Sequence, residues 1–205
     1  VDSWNPGLLP KSGLSINENL INGYMGLPPC HMLFQFWVGK PNEGATNRTL
    51  HLNLRLRSSD TGLGLAFNVG GYAIINHIYA LETNMDAGEL AVDICDAHIY
   101  KGHIEGLKEY VQRPTHALPQ FIMTKEIYEE RKRAVIQQWV EANTRADEDY
   151  ENQVKRHMDN LYNDESPTAA RTRFEILLNN INDTVFDGMF KDYVHEPDIK
   201  LPLYD

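Results

Sequence analysis

Residues 50–80 read LHLNLRLRSSDTGLGLAFNVGGYAIINHIYA, and two periodicities follow one another within them. From 50 to 58 the alternation is strict. Leu50, Leu52, Leu54 and Leu56 fall on one face and His51, Asn53, Arg55 and Arg57 on the other, the period of a half-buried strand. A strand that aims two arginines from one face has salt bridges there, or an anion. Glycines then punctuate DTGLGLAFN (60–68), and the chain runs into a helix predicted over about 67–83, with Val69, Tyr72, Ala73, Asn76 and Tyr79. A short strand is expected at about 89–95. Strands mixed with helices in this order predict an α/β or α+β fold, a mixed twisted sheet packed with helices.

Upstream, GLPPCHMLFQFWV (26–38) ends in a strand over 31–38. Alternation puts Met32, Phe34, Phe36 and Val38 on one side and His31, Leu33, Gln35 and Trp37 on the other. Both sides are largely apolar, which predicts a central strand. Residues 7–25 and 40–48 read as loops, rich in Gly, Asn and Pro. Downstream, DAHIYKGHIEGLKEYVQR (96–113) is a turn leading into a helix, and Pro114 and Pro119 interrupt the pattern. Residues 125–162 are rich in helix formers and charge. Ile127, Val135, Trp139 and Val140 make one apolar stripe and Tyr150, Val154, Met158 and Leu161 another, predicting a helical hairpin. A further helix is expected over 169–182, then an extended tail.

The chain has 205 residues, enough for one domain, and a formal charge of −10. That charge argues against nucleic acid or an anionic membrane as partner, although local arginines can still bind a phosphorylated small molecule. No apolar run has membrane-spanning length. Two cysteines, Cys30 and Cys95, make neither a disulfide framework nor a zinc set, so a cytoplasmic location is expected. The first residues, Val1-Asp2-Ser3-Trp4-Asn5-Pro6, read like the middle of a chain, which suggests a processed, split or truncated product.

Cys30 stands between Pro28-Pro29 and His31. A buried inert thiol and a nucleophile at the start of a strand both fit, and the buried thiol is the commoner case. Neighbours on a strand point to opposite faces, so His31 cannot serve as the base for Cys30. A nucleophilic Cys30 needs another cation, and Arg57 is a reasonable supplier. Cys95, Asp96, His98 and His103 could suggest a metal. The spacing of five between the histidines does not share one helix face, so no metal is expected.

The blocks SWNP, LPPCHMLFQFWV, RLRSSDTGLGLAFNVGGYA, DAHIYKGHIEGLKEYVQRP and YVHEPDIKLPLYD, in this order, resemble the thymidylate synthase family. They cover 1–120 and 190–205, a catalytic core, with 121–189 as a helical insertion. The resemblance implies that Cys30 is the thiolate that attacks C6 of dUMP. Arg57 and Ser58, with Ser59 beside them, would hold the 5′-phosphate, and Arg57 would help keep Cys30 ionised. Asn68 would read the pyrimidine edge, and His98 and Tyr100 the deoxyribose. Asp60 would contact both substrate and the pterin of 5,10-methylenetetrahydrofolate, with Leu27 and Tyr204 also on the folate. The implied product is dTMP and the implied assembly a homodimer, with no nucleic acid required.

The sequence also departs from that family. Leu56 stands where the family usually has Gln, Ala66 where it has Pro, Gly71 where it has Ser and Cys95 where it has Gly. Cytosine-specific relatives carry Asp where this chain has Asn68. A bulky end at Leu203-Tyr204-Asp205 raises the alternative of dUMP hydroxymethylation, as in phage enzymes, if water enters the closed site. A non-catalytic paralogue or assembly subunit is the alternative of another class. The family's N-terminal half, which supplies a general-base Glu and phosphate-binding arginines, has no counterpart in this sequence. A separate N-terminal fragment, or a larger precursor, is therefore expected.

Overall fold

The alternating leucines are the floor of a core: Leu50 is 5 % exposed, and Leu52, Leu54 and Leu56 are 0 %. The structure is a computed structural model and describes residues 1–144, 149–181, 185–186, 188–192, 194, 197 and 199–201. Its first helix, α1 (Ile16–Ile21), falls within the expected loop 7–25. The reason is a capping box: Ser15 Oγ accepts from Glu18 N while the Glu18 carboxylate accepts from Ser15 N. There follow β1 (His31–Val38), β2 (Thr49–Leu56), β3 (Ser59–Asp60), α2 (Gly64–Glu82), β4 (Asp86–Ile94), β5 (Ala97–His98) and α3 (Ile104–Tyr110). The sheet order is β1-β2-β4, with β1 antiparallel and β4 parallel to β2. A parallel neighbour needs a crossover, and α2 supplies it, packing Leu65, Tyr72 and Ile75 on the leucine face.

Two expectations need correction. The central strand is β2, not β1. Among the described residues the outer edge of β1 is covered only locally, where Val1 to Ser3 bond the backbone of Met32 and Phe34. Its second apolar side instead carries Trp37, whose ring stacks on His51 at 4.8 Å. His31 also leaves its expected face. The β1–β2 register shifts between His31 and Leu33, and the His31 ring meets Tyr72, which also takes Phe34. Strand β4 starts at Asp86, earlier than expected, because the turn closes at Asn84 with a positive φ of 54°. A second register shift, opposite His51, brings its Nδ1 to accept from Glu89 N at 3.0 Å. A Cβ on Gly88 would stand 2.7 Å from that ring nitrogen.

Two compact units emerge, Val1–Pro114 with Pro197–Asp205, and Thr115–Glu196. The second contains β6 (Gln120–Phe121), α4 (Lys125–Asn143), α5 (Tyr150–Asn163), α6 (Pro167–Asn179) and β7 (Phe190–Lys191). β6 and β7 pair antiparallel, which closes the two ends of this unit on each other. Ile136 and Val140 of α4 pack with Met158 of α5 and Ile176 of α6. Trp139, expected in the α4 stripe, is 36 % exposed and lines a groove with His157 and Leu161, and Ile136 is buried in its place. Helix α6 starts two residues before its expected 169 because Ser166 caps it and Pro167 occupies the first turn.

Candidate active site

The Pro-Pro-Cys turn and the end of β2 meet at one residue. Arg57 lies just past Leu56, and its backbone N donates to Cys30 O at 2.9 Å. Its guanidinium forks onto the same turn: Nε donates to Pro29 O at 3.1 Å and Nη2 to Pro28 O at 3.0 Å. Prolines have no N–H to offer but keep their carbonyls, so a cation with several donors is what such a turn can accept. Nη2 also stands 4.0 Å from Cys30 Sγ. The cysteine is exposed, not buried, which removes the inert core thiol as an explanation of its place. A thiolate there has a positive charge beside it and an open approach.

Beyond Arg57 the chain turns into β3, which runs parallel to β5. Ser59 N donates to Asp96 O and Thr61 N to His98 O. This pairing brings Ser58, Ser59, Asp60 and His98 to one locus although some forty residues of chain separate them. Ser58 is half-buried. Ser59 is 2 % exposed and its Oγ takes no hydrogen bond among the described residues. Asp60 Oδ1 accepts from Gly62 N at 3.0 Å. His98 Nδ1 lies 3.4 Å from Asp96 Oδ2, and its ring meets Tyr100 edge-on at 5.1 Å.

Asn68 stands in the first half of α2, half-buried. It is one turn beyond Gly64, whose Cβ position is 3.8 Å from the Asp60 side chain. Residues four apart share a helix face, so Asn68 is on the face that starts beside Asp60. Leu27, 63 % exposed, precedes the Pro-Pro turn. The tail is held on α3: Arg113 donates to Pro197 O, and Gly106 leaves room for Ile199 and Leu201. Tyr204 lies outside the described residues.

The sequence reading missed two parts of this arrangement. The carbonyls of Pro28 and Pro29 bind Arg57 through backbone atoms, which no side-chain pattern reports. His103, considered above only as a metal ligand, is 1 % exposed and sits 3.5 Å from Asp60. Its partner there is a carboxylate, and among the described residues no three His, Cys, Asp or Glu side chains group as a metal site needs. No helix among the described residues is long and apolar enough to cross a membrane.

The family model described as thymidylate synthase matches residues 1–158. The chain is 40% identical to the thymidylate synthase of Francisella tularensis subsp. holarctica (strain FTNF002-00 / FTA) over 117 residues, 57% of this chain and 40% of that protein. It is 38% identical to that of Listeria monocytogenes serovar 1/2a over 124 residues, 60% of this chain and 33% of the relative. To that of Francisella philomiragia subsp. philomiragia it is 38% identical over 119 residues, 58% and 41% of the two chains. In each case the match spans less than half of the relative's length.

Proposed function

From the membership of this chain in the thymidylate synthase family, we propose that it is the nucleophile-bearing part of an enzyme converting dUMP to dTMP. The observation that carries the reading is the Arg57 fork on the Pro28–Cys30 turn, with Nη2 4.0 Å from the exposed Sγ. In this reading the Cys30 thiolate forms a bond to C6 of the uracil. The electron pair of the C5–C6 double bond moves to C5 and O4, and C5 becomes the carbon nucleophile that uracil alone is not. Covalent addition thereby divides one difficult step into easier ones. C5 then bonds the one-carbon unit of 5,10-methylenetetrahydrofolate and loses its proton to a base, tetrahydrofolate leaves with the carbon–nitrogen bond pair to give an exocyclic methylene, and hydride from tetrahydrofolate converts this to methyl as the thiolate departs, so that dTMP and dihydrofolate form together.

The remaining residues bind and orient. Arg57 and Ser58 hold the 5′-phosphate. His98 and Tyr100 take the 3′-hydroxyl. Asn68 offers both an acceptor and donors, which complement O4 and N3–H of uracil once its amide is anchored. Asp60 fits the folate: its carboxylate is 19 % exposed at the side chain, a ready acceptor for the N–H groups of a pterin. Leu27 adds apolar contact, and the tail, with Tyr204, closes over the folate and keeps water from the reacting carbon. Homodimeric assembly, a cytoplasmic location and a separate N-terminal fragment carrying the general base complete the proposal. The helical region 121–189, which falls within the compact unit Thr115–Glu196, is an insertion in this core.

The test is mass spectrometry of the nucleotide formed from dUMP and methylenetetrahydrofolate. The 205-residue chain alone is expected to give little or no turnover, and its mixture with the N-terminal half of a relative to give a methylated product with dihydrofolate. A hydroxymethylated product with tetrahydrofolate released would replace the reading with the alternative chemistry. Full turnover by the chain alone would refute the need for a second fragment.

A further inference from the structure

Glycine is the poorest helix former after proline, yet Gly106 stands in the first half of α3. No positive φ requires it there. The space beside it is already taken. A Cβ on Gly106 would stand 2.6 Å from Leu201 Cδ2 and 3.1 Å from Ile199 Cγ2. Ile199 and Leu201 are half-buried while Lys200 between them is exposed, the alternation of an extended segment with one side on a support. A local preference given up where another segment docks is a feature to be explained by what the docking does.

A second hold sets the direction of the tail. Arg113, just past the end of α3, donates through Nη1 to Pro197 O, and its Nη2 is fixed by Glu109 Oε1 at 2.9 Å. The order of contacts is reversed between the two segments: Pro197 lies at the end of α3 and Leu201 near its start. The tail therefore runs along the helix toward the end that borders the site. There Leu107, the residue after Gly106, has its Cδ1 3.1 Å from the Cβ position of Gly62, whose N–H donates to Asp60 Oδ1 at 3.0 Å. His98 and Tyr100 precede the same end of α3 in the chain.

We propose that Gly106 is a positioning residue for the tail: the notch it leaves in α3 seats Leu201, and this seat together with the Arg113 hold directs the tail toward the Asp60 side of the site. The seat stands on the geometry alone, and its consequence for the folate rests on the functional reading. Leu201 Cδ2 is the far end of a flexible side chain, so Gly106→Ala unseats the leucine without breaking the helix. In the chain alone, tryptic cleavage after Lys200, read as release of residues 201–205 by mass spectrometry, reports how often the tail leaves α3. Gly106→Ala is expected to speed it about three- to tenfold, the loss of one seated side chain. In a Leu201→Ala background the same change is expected to add less than about twofold, because the atom it displaces is gone. In the complex of this chain with its N-terminal counterpart and dUMP, Gly106→Ala is expected to weaken binding of a quinazoline folate analogue about three- to tenfold and to change dUMP affinity by less than about twofold.

Unchanged cleavage at Lys200 in Gly106→Ala would overturn the proposal. So would the full effect of Gly106→Ala in the Leu201→Ala background. Faster cleavage with unchanged analogue binding would overturn the direction of the tail toward the folate. If Gly106→Ala does not fold, Leu201→Ala alone is expected to weaken analogue binding with dUMP affinity kept, and unchanged analogue binding there would overturn the proposal as well. A wild-type complex that binds neither dUMP nor the analogue would sink the functional reading, while cleavage at Lys200 still decides whether Gly106 seats the tail.

Discussion

At the residue scale, Arg57 joins two segments whose sequence patterns are unrelated. Its two side-chain bonds fix the carbonyls of Pro28 and Pro29, and its backbone bonds that of Cys30. A lysine keeps the charge but cannot fork, so Arg57→Lys is not a conservative change. If the turn is the nucleotide site, dUMP protects Cys30 from carboxymethylation and leaves Cys95, also exposed, to react as the internal control. Arg57→Lys is expected to raise the dUMP concentration needed for that protection about 10- to 100-fold, as the loss of charge-assisted hydrogen bonds would. Equal protection of both thiols, or none, would remove Cys30 from the proposed site. The cysteine itself was legible as a candidate from its Pro-Pro context. Its exposure was not, because accessibility belongs to the fold around a residue.

At the scale of elements, α2 shows both what a period reveals and what it hides. Its sequence is apolar nearly throughout, and the structure buries Ile78 and Ala80 in its second half while Phe67, in its first half, is 75 % exposed. His77 lies in the covered half, and burial pushes its imidazole below the ordinary value of 6.5. The folded chain thus resists a proton that the unfolded chain accepts. The contribution of His77 to stability is full above the unfolded value and falls away as the pH drops through it, since the unfolded state then binds more protons. Urea unfolding at about pH 7.5 and about pH 5.5 is expected to show a lower midpoint in acid, and His77→Gln to lose part of that difference. An identical acid shift in the variant would show that His77 carries none of it. The element boundaries slipped in the sequence reading for local reasons. The Ser15–Glu18 capping box and the Ser166-Pro167 start were signals present in the chain, whereas the early start of β4 depends on where α2 releases the backbone at Asn84.

At the scale of the molecule, the sheet has α2 on its leucine face, and its other face presents Gln35, the stacked Trp37 and the Arg55–Asp93 pair. Trp37 is 42 % exposed, and Gln35, next on the same face of the strand, is exposed as well. The proposed homodimer has an apolar anchor here, since a half-open tryptophan is a residue that association covers. Sedimentation velocity of the chain is expected to show a dimer, and Trp37→Glu a monomer with unchanged far-ultraviolet circular dichroism. A dimer that survives Trp37→Glu would move the interface away from this face.

The sequence by itself determined the parts whose cause is local. The leucine alternation of 50–56 is a strand with one buried face whatever surrounds it, the following apolar run is a helix, and the ordered motif blocks mark the family. The tertiary structure alone decided which of these parts meet. Parallel pairing of β3 with β5 sets Asp60 beside His98, a register shift turns His31 onto Tyr72, and a fork of two hydrogen bonds makes Arg57 the neighbour of Cys30. None of these follows from a period, because a period fixes the face a side chain takes on its own element, and contacts across elements depend on register, which only the pairing of distant backbone groups sets.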